Sequence, residues 1–447
     1  MTHIAGIISS GMRRLRSALS RSVKTAQSPR AIHEESIARY RPGGYHPVRI
    51  GDVFNNGKYK IVSKLGYGVY STVRLACNQE TKRHVALKVL TADSFGNGND
   101  TFELETLMRL KPCTASPMSP PGAAHVLGLL DQFEHRGPHG NHVCLVFKAM
   151  GPDLSRFRRL FPDLRLPPPL VKSVSRQLLL ALAHLHDTCQ VTHGLVTARG
   201  ARRGPSAVSV YPPSLIMRLT EDSDIKPTNI LIESPAINDM FENVPSEAFS
   251  PQDPPLPPPQ DFYMRSTQVT SREEDLARST ELSVRLTDFG TSNRFDKHLT
   301  EWIQPDMLRA PEVILGAEWD RKVDIWNLGL IIWELAQSRL LFDGTWAPRD
   351  SYTPEAHLAQ MTAVLGAFPE RLLARSKNRD LYIDSEGNLT KPSTFPPVSL
   401  EQFSKNPNIS ASDRTGFLEL VTAMTRIDPE ERPDAQTLLE ADWLKQA

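Results

Sequence analysis

Between Lys58 and Leu90 apolar and polar residues alternate, with β-branched residues favoured (YKIVSKLGYGVYSTVRLACN, then HVALKVL) and glycines at 66 and 68 breaking the run. A period of two is that of a pleated strand, so the stretch predicts three strands of an antiparallel sheet. FELETLMRL (102–110) has helical spacing, while HVLGLLDQFEH (125–135) and HVCLVFKAM (142–150) predict two more strands. From Val171 onward helical patterns dominate, beginning with VKSVSRQLLLALAHLH. The pattern predicts an α+β chain of two lobes: a small antiparallel β lobe over 40–148 and a larger helical lobe over 149–447.

Two stretches fit neither period. Residues 236–280 include PQDPPLPPPQ, with six prolines in ten positions, which predicts an extended, solvated spacer. Residues 194–223, GLVTARGARRGPSAVSVYPPSLIMRLTEDS, show no sustained period and no turn that would return the chain to register.

Charge excludes some classes of function. Lys plus Arg total 52 against 51 Asp plus Glu, so no global field points to nucleic acid or a membrane surface. The longest strongly apolar run, LGLIIWELA at 328–336, is too short to span a bilayer and carries a glutamate. Four cysteines (Cys77, Cys113, Cys144, Cys189) are scattered without a ligand spacing, as expected of reduced thiols in the cytoplasm or nucleus. The first thirty residues carry six Arg or Lys, and no acidic residue precedes Glu34. Residues 1–39 therefore read either as a disordered basic tail or as a mitochondrial transit peptide.

Chemistry enters with LGYGVYSTV (65–73), where Gly66 and Gly68 would let a hairpin fold closely over phosphates and offer its backbone N–H groups. VALKVL then sets Lys88 inside a strand, where it is either a solvated lysine or a ligand for the α- and β-phosphates of ATP. Such a lysine needs a carboxylate from the following helix. Glu103 and Glu105 are the candidates, and Glu103 is preferred because its spacing to Leu107 and Leu110 puts it at the edge of the apolar face. In DIKPTN (224–229), Asp224 could accept the proton of a substrate hydroxyl, Lys226 could balance charge on the phosphoryl group and Asn229 could bind Mg²⁺. DFG at 288–290 makes Asp288 the main carboxylate ligand for Mg²⁺. APE (310–312) and VDIWNLG (323–329) follow, and Arg432 is placed to form a structural pair with Glu312.

In this order and on these elements the motifs resemble those of the eukaryotic protein kinases, and within them the SR-protein kinases. The closest resemblances are YRPGGYHPVRIGDVFNNGKYKIVSKLGYGVYSTV (40–73), HVCLVF, DIKPTNIL and TEWIQ (300–304). The resemblance implies a bilobal kinase fold, ATP and Mg²⁺ as cofactors, and phosphorylation of serines in Arg/Ser-rich, splicing-type proteins by a monomer. It also implies an adenine site formed by Leu65, Val73, Ala86, the gatekeeper Phe147 and the hinge from Lys148 to Met150. Ser223 rather than arginine precedes Asp224, which implies activity that does not depend on phosphorylation of the activation segment.

The thirty residues 194–223 separate His193 from Asp224 inside what resembles one catalytic loop. A join within the codons of Gly194 and Ser223 would keep the frame and give His-Gly-Asp-Ile-Lys-Pro, so residues from about Leu195 to Asp222 read as translated intron. The alternatives are a genuine surface insertion in an active kinase, or a pseudokinase or scaffold whose catalytic loop the insertion disrupts.

Overall fold

The computed structural model describes residues 34–94, 103–114, 120–193, 227–251, 253, 255–267, 282–290, 292–295, 301–406 and 409–445. The basic tail before Glu34, the interruption at 194–223, the end of the spacer at 268–280, and both Asp224 and Lys226 lie outside them. Every element named below belongs to the compact unit Ser36–Ala447.

The alternation between Lys58 and Leu90 becomes strands β2 (Tyr59–Gly68), β3 (Ser71–Asn78) and β4 (His84–Leu90), preceded by a short β1 (Val53–Phe54). With β5 (Leu129–Gly137) and β6 (Gly140–Lys148) they form a six-stranded antiparallel sheet in the order β1-β2-β3-β4-β6-β5. HVLGLLDQFEH turns into strand later than its pattern predicts, because Pro121–His125 forms a 3-10 turn first. Successive residues of β4 face opposite sides. Val85, Leu87 and Val89 join an outer core with Phe54, Tyr59, Ile61, Cys144 and Val146. Ala86 and Lys88 thereby take the other face, toward the helical lobe. Beneath that face packs α1 (Glu103–Thr114), with Leu107 and Leu110 fully buried.

The helical lobe is built on α2 (Pro168–Ala183), whose Val171, Val174, Leu178 and Leu182 are buried. The helix continues as a π-helical turn, His184–Cys189, and ends in a left-handed Gln190. Two short ribbons follow: β7 (Val191–Thr192) pairs with β10 (Asn293–Arg294), and β8 (Ile230–Glu233) pairs with β9 (Ser283–Leu286). α4 (Pro311–Leu315) leads to α5 (Lys322–Gln337), which is buried almost all round and carries Trp326 and Trp333 at 0 % exposure. LGLIIWELA is thus the centre of a core. No described helix is long and apolar enough to cross a membrane.

One expectation is corrected. The described part of the spacer is not extended and solvated: Pro235–Asn243 is a helix, α3, capped by Ser234. Ile237, Phe241, Phe249 and Met264 are buried. The segment runs from the helical lobe to the back of the sheet, where His84 Nδ1 lies 3.0 Å from Phe241 O and Lys64 Nζ donates to Met264 O at 3.1 Å. The physical reason is the apolar triplet Ile237, Met240 and Phe241 at helical spacing, which precedes the proline run and buries one face. Among the described residues of the proline run, 256–260 are exposed.

Candidate active site

The β-strand period puts Lys88 on the inner face of the sheet, and the helical period turns Glu103 of α1 toward it. Lys88 Nζ donates to Glu103 Oε1 at 2.6 Å and to Asp288 Oδ1 at 3.3 Å. Burial alone would depress the Lys88 ammonium, but the two carboxylates outweigh it and hold the group above its ordinary value. The lysine is therefore a fixed cation at any physiological pH. Of the two candidate glutamates, only Glu103 reaches it. Glu105 points outward and pairs with Arg294 at 2.9 Å.

Asp288 has a left-handed backbone (φ +65°) and a side chain that is 43 % exposed. Phe289 behind it is buried, with its ring centroid 5.2 Å from that of His193. Asn229 ends a 3-10 turn and leads directly into β8, whose register with β9 (Ile230 opposite Leu286) brings Asn229 level with Thr287. Thr287 N donates to Asn229 O at 2.9 Å, and Thr287 O lies 3.1 Å from His193 Nε2. The two flanks of the interrupted loop thus meet on a single residue next to Asp288. His193 is fixed further by its own N–H, which donates to Asp324 Oδ2 at 2.8 Å, an oxygen that also lies 2.8 Å from His186 Nε2. Burial holds the His193 imidazole below its ordinary pKa and so neutral at pH 7.

Above the cleft lie the residues expected around adenine. Val73 pairs with Lys88, and Ala86 sits between Leu75 and Phe147. Leu65, Ala86 and, from β8, Leu231 pack against a core that includes Phe147 and Met150. The Lys148 side chain pairs with Glu233 of β8, which also accepts from Arg285 at 2.5 Å. Burial works against the Glu233 charge, but these two cations hold its carboxyl down at about 2.

The residues fit ATP and Mg²⁺. A Cβ built on Gly66 meets nothing within 4 Å, and on Gly68 only Ser71 Oγ at 3.7 Å, so packing within the chain does not require either glycine. Asp288 and Asn229 supply oxygen donors suited to a hard divalent cation. On the far side of the lobe Arg432 makes the expected structural pair, donating to both Glu312 oxygens at 2.6 and 2.7 Å.

The protein kinase domain family matches residues 222–444. A serine/threonine protein kinase of Aspergillus fumigatus is 30 % identical over 416 residues, covering 92 % of this chain and 91 % of the relative. The chain belongs to the serine/threonine protein kinases. Within that family the kinase is similar to the serine/threonine-protein kinase SRPK of Physarum polycephalum, 29 % identical over 428 residues (92 % and 91 % of the two chains). It is also similar to SRSF protein kinase 3 of Homo sapiens, 25 % identical over 525 aligned positions (92 % and 90 %). As a transferase of this family the kinase uses ATP and Mg²⁺ and acts on protein substrates.

Three features of the kinase site escape sequence reasoning: the Asp324 anchor for His193, the Thr287 bridge, and the Glu233 clamp on Lys148 and Arg285. Each joins residues far apart in the chain, and none has a local pattern to announce it.

Proposed function

We propose that this kinase phosphorylates serines flanked by arginine in Arg/Ser-rich proteins of the splicing type, acting as a monomer in the cytoplasm and nucleus. The observation that carries catalytic competence is Lys88 Nζ held between Glu103 and Asp288, the arrangement that phosphoryl transfer requires of this fold. The substrate class rests on the relatives, among them an SRSF protein kinase.

In this reading ATP supplies the phosphoryl group, and Mg²⁺ neutralises the charge that develops on it. Lys88 aligns the α- and β-phosphates, and its pair with Glu103 fixes the angle of approach. Asp288 and Asn229 hold the metal. Gly66 and Gly68 leave room above the phosphates, while Leu65, Val73, Ala86, Phe147, the Lys148 backbone and Met150 enclose adenine. Asp224 takes the proton of the substrate serine, and Lys226 balances the charge beside it. The test is phosphorylation of an unbiased peptide array by the purified chain with Mg²⁺ and ATP. Arg-flanked serines should dominate. A preference for proline-directed or acidic sites would overturn the specificity, and nucleotide binding without any transfer would favour a binding module.

A further inference from the structure

The lead-in YRPGGYHPV has so far been only a mark of resemblance, yet its geometry is specific. Gly43 has φ +79°, and a Cβ on Gly44 would meet Arg39 O at 2.0 Å, so the pair of glycines is required for the chain to fold back on itself here. The fold-back is tied to the sheet: Gly43 N donates to His139 O at 2.8 Å, and Asp93 N donates to Gly43 O at 2.8 Å. It buries Tyr45 to 1 % exposure and lays the Arg39 guanidinium over its ring at 4.6 Å.

Both side chains end on the tip of the glycine hairpin. Tyr45 Oη donates to Gly68 O at 2.6 Å, and the Arg39 guanidinium donates to the next carbonyl, Val69 O. Tyr67, Val69 and Tyr70 at the tip are 40, 41 and 39 % exposed, and beside these two contacts Thr91 N donates to Tyr70 O at 2.8 Å. In a planar trans peptide the C=O and the following N–H point in opposite directions. Holding the carbonyls of Gly68 and Val69 toward the lead-in therefore turns the N–H groups of Val69 and Tyr70 away from it.

We propose that Tyr45 and Arg39 are positioning residues for nucleotide binding: they brace the glycine hairpin from behind and present the Val69 and Tyr70 amides as a preset phosphate cradle. This rests on the reading of the hairpin as the phosphate cover. An unbraced tip would spend part of its time in other conformations, and apparent affinity falls with the fraction that is competent.

The test uses the full chain and needs no turnover. Tyr45→Phe removes one hydroxyl and keeps the ring. Without nucleotide, amide exchange over residues 66–72 should quicken about 5-fold, and Mg·ATP should bind about 5-fold more weakly, the worth of one partly buried hydrogen bond. Adenosine, which lacks phosphates, should bind unchanged. Arg39→Ala should act in the same direction. Unchanged exchange and ATP affinity in both variants overturns the brace, as does equal weakening of ATP and adenosine, which would mark a general loss of the cleft. Gly66→Val separates the underlying reading: if it leaves ATP affinity intact, the hairpin does not cover phosphates and the proposal falls with it. If it weakens ATP while Tyr45→Phe does not, only the brace is wrong.

Discussion

Lys88 is where two readings of one side chain part company. A solvated lysine in a strand would be dispensable, whereas this one is 15 % exposed and held by two carboxylates. Lys88→Met should leave the fold intact by circular dichroism and cut phosphotransfer by about 100-fold or more, the scale of losing one preorganised charge contact. Normal turnover would return Lys88 to the solvated class. Asp288→Ala removes an exposed side chain and opens no cavity, so its effect should be confined to chemistry: ATP affinity should lose its dependence on Mg²⁺ in a titration with and without the metal. Glu233 gives the pH dependence. Its carboxyl titrates near the ordinary 4.5 when unfolded and at about 2 when folded. The stability it contributes is therefore complete above about pH 4.5 and is lost as pH falls toward 2, a difference on the order of 2–3 kcal/mol. Chemical denaturation should show this loss in the native protein and not in Glu233→Gln; identical curves would remove Glu233 from the account. Lys88 and Glu103 were legible because they sit on a strand and a helix with a clear period, and Asn229 and Asp288 because they belong to the short motifs DIKPTN and DFG. Glu233 was not, since its partners Lys148 and Arg285 lie 85 and 52 residues away.

At the scale of elements, the two-residue and helical periods placed the sheet strands, α1 and α2, because β-branched alternation and helical spacing leave a regular trace even where, as in β3, both faces are buried. The segment from Pro235 to Thr267 departs from the extended spacer that its six prolines in ten positions predict, because the Ser234 cap and the apolar triplet just before them form a helix that buries one face. The structure makes this segment a strap. Phe241 stacks on Phe249 at 5.8 Å, Phe249 meets the His84 ring at 4.6 Å, Asp261 pairs with Arg49 at 2.8 Å, and Phe262 meets the Tyr40 ring at 4.7 Å. Phe241→Ala should therefore lower the unfolding free energy by about 3 kcal/mol, as for other buried aromatic truncations. A solvated spacer would show no change in the denaturation midpoint.

The whole molecule poses the problem of the interrupted loop. Thermodynamics tolerates the interruption: closing a loop of thirty residues costs about 3 kcal/mol on a (3/2)RT ln n basis. Catalysis is less forgiving, since displacing a catalytic group by about 1 Å can cost roughly 100-fold in rate. The structure sharpens the contrast, because Thr287 binds both flanks, His193 on one side and Asn229 on the other. The fold thus fixes where the chain leaves at His193 and where Asn229 must sit. Removing Leu195–Asp222 should leave ATP affinity and thermal stability near those of the full chain, because the Lys88 pairs with Glu103 and Asp288 do not involve the removed residues. Phosphotransfer should rise by about 100-fold or more, because Asp224 is then joined to the anchored His193 through a two-residue link. Sequencing transcripts across codons 190–230 supplies an independent arm, in which the shorter message should dominate. Equal turnover by the two forms, with every transcript retaining the segment, would show that this catalytic loop works while split and that the intron reading is wrong.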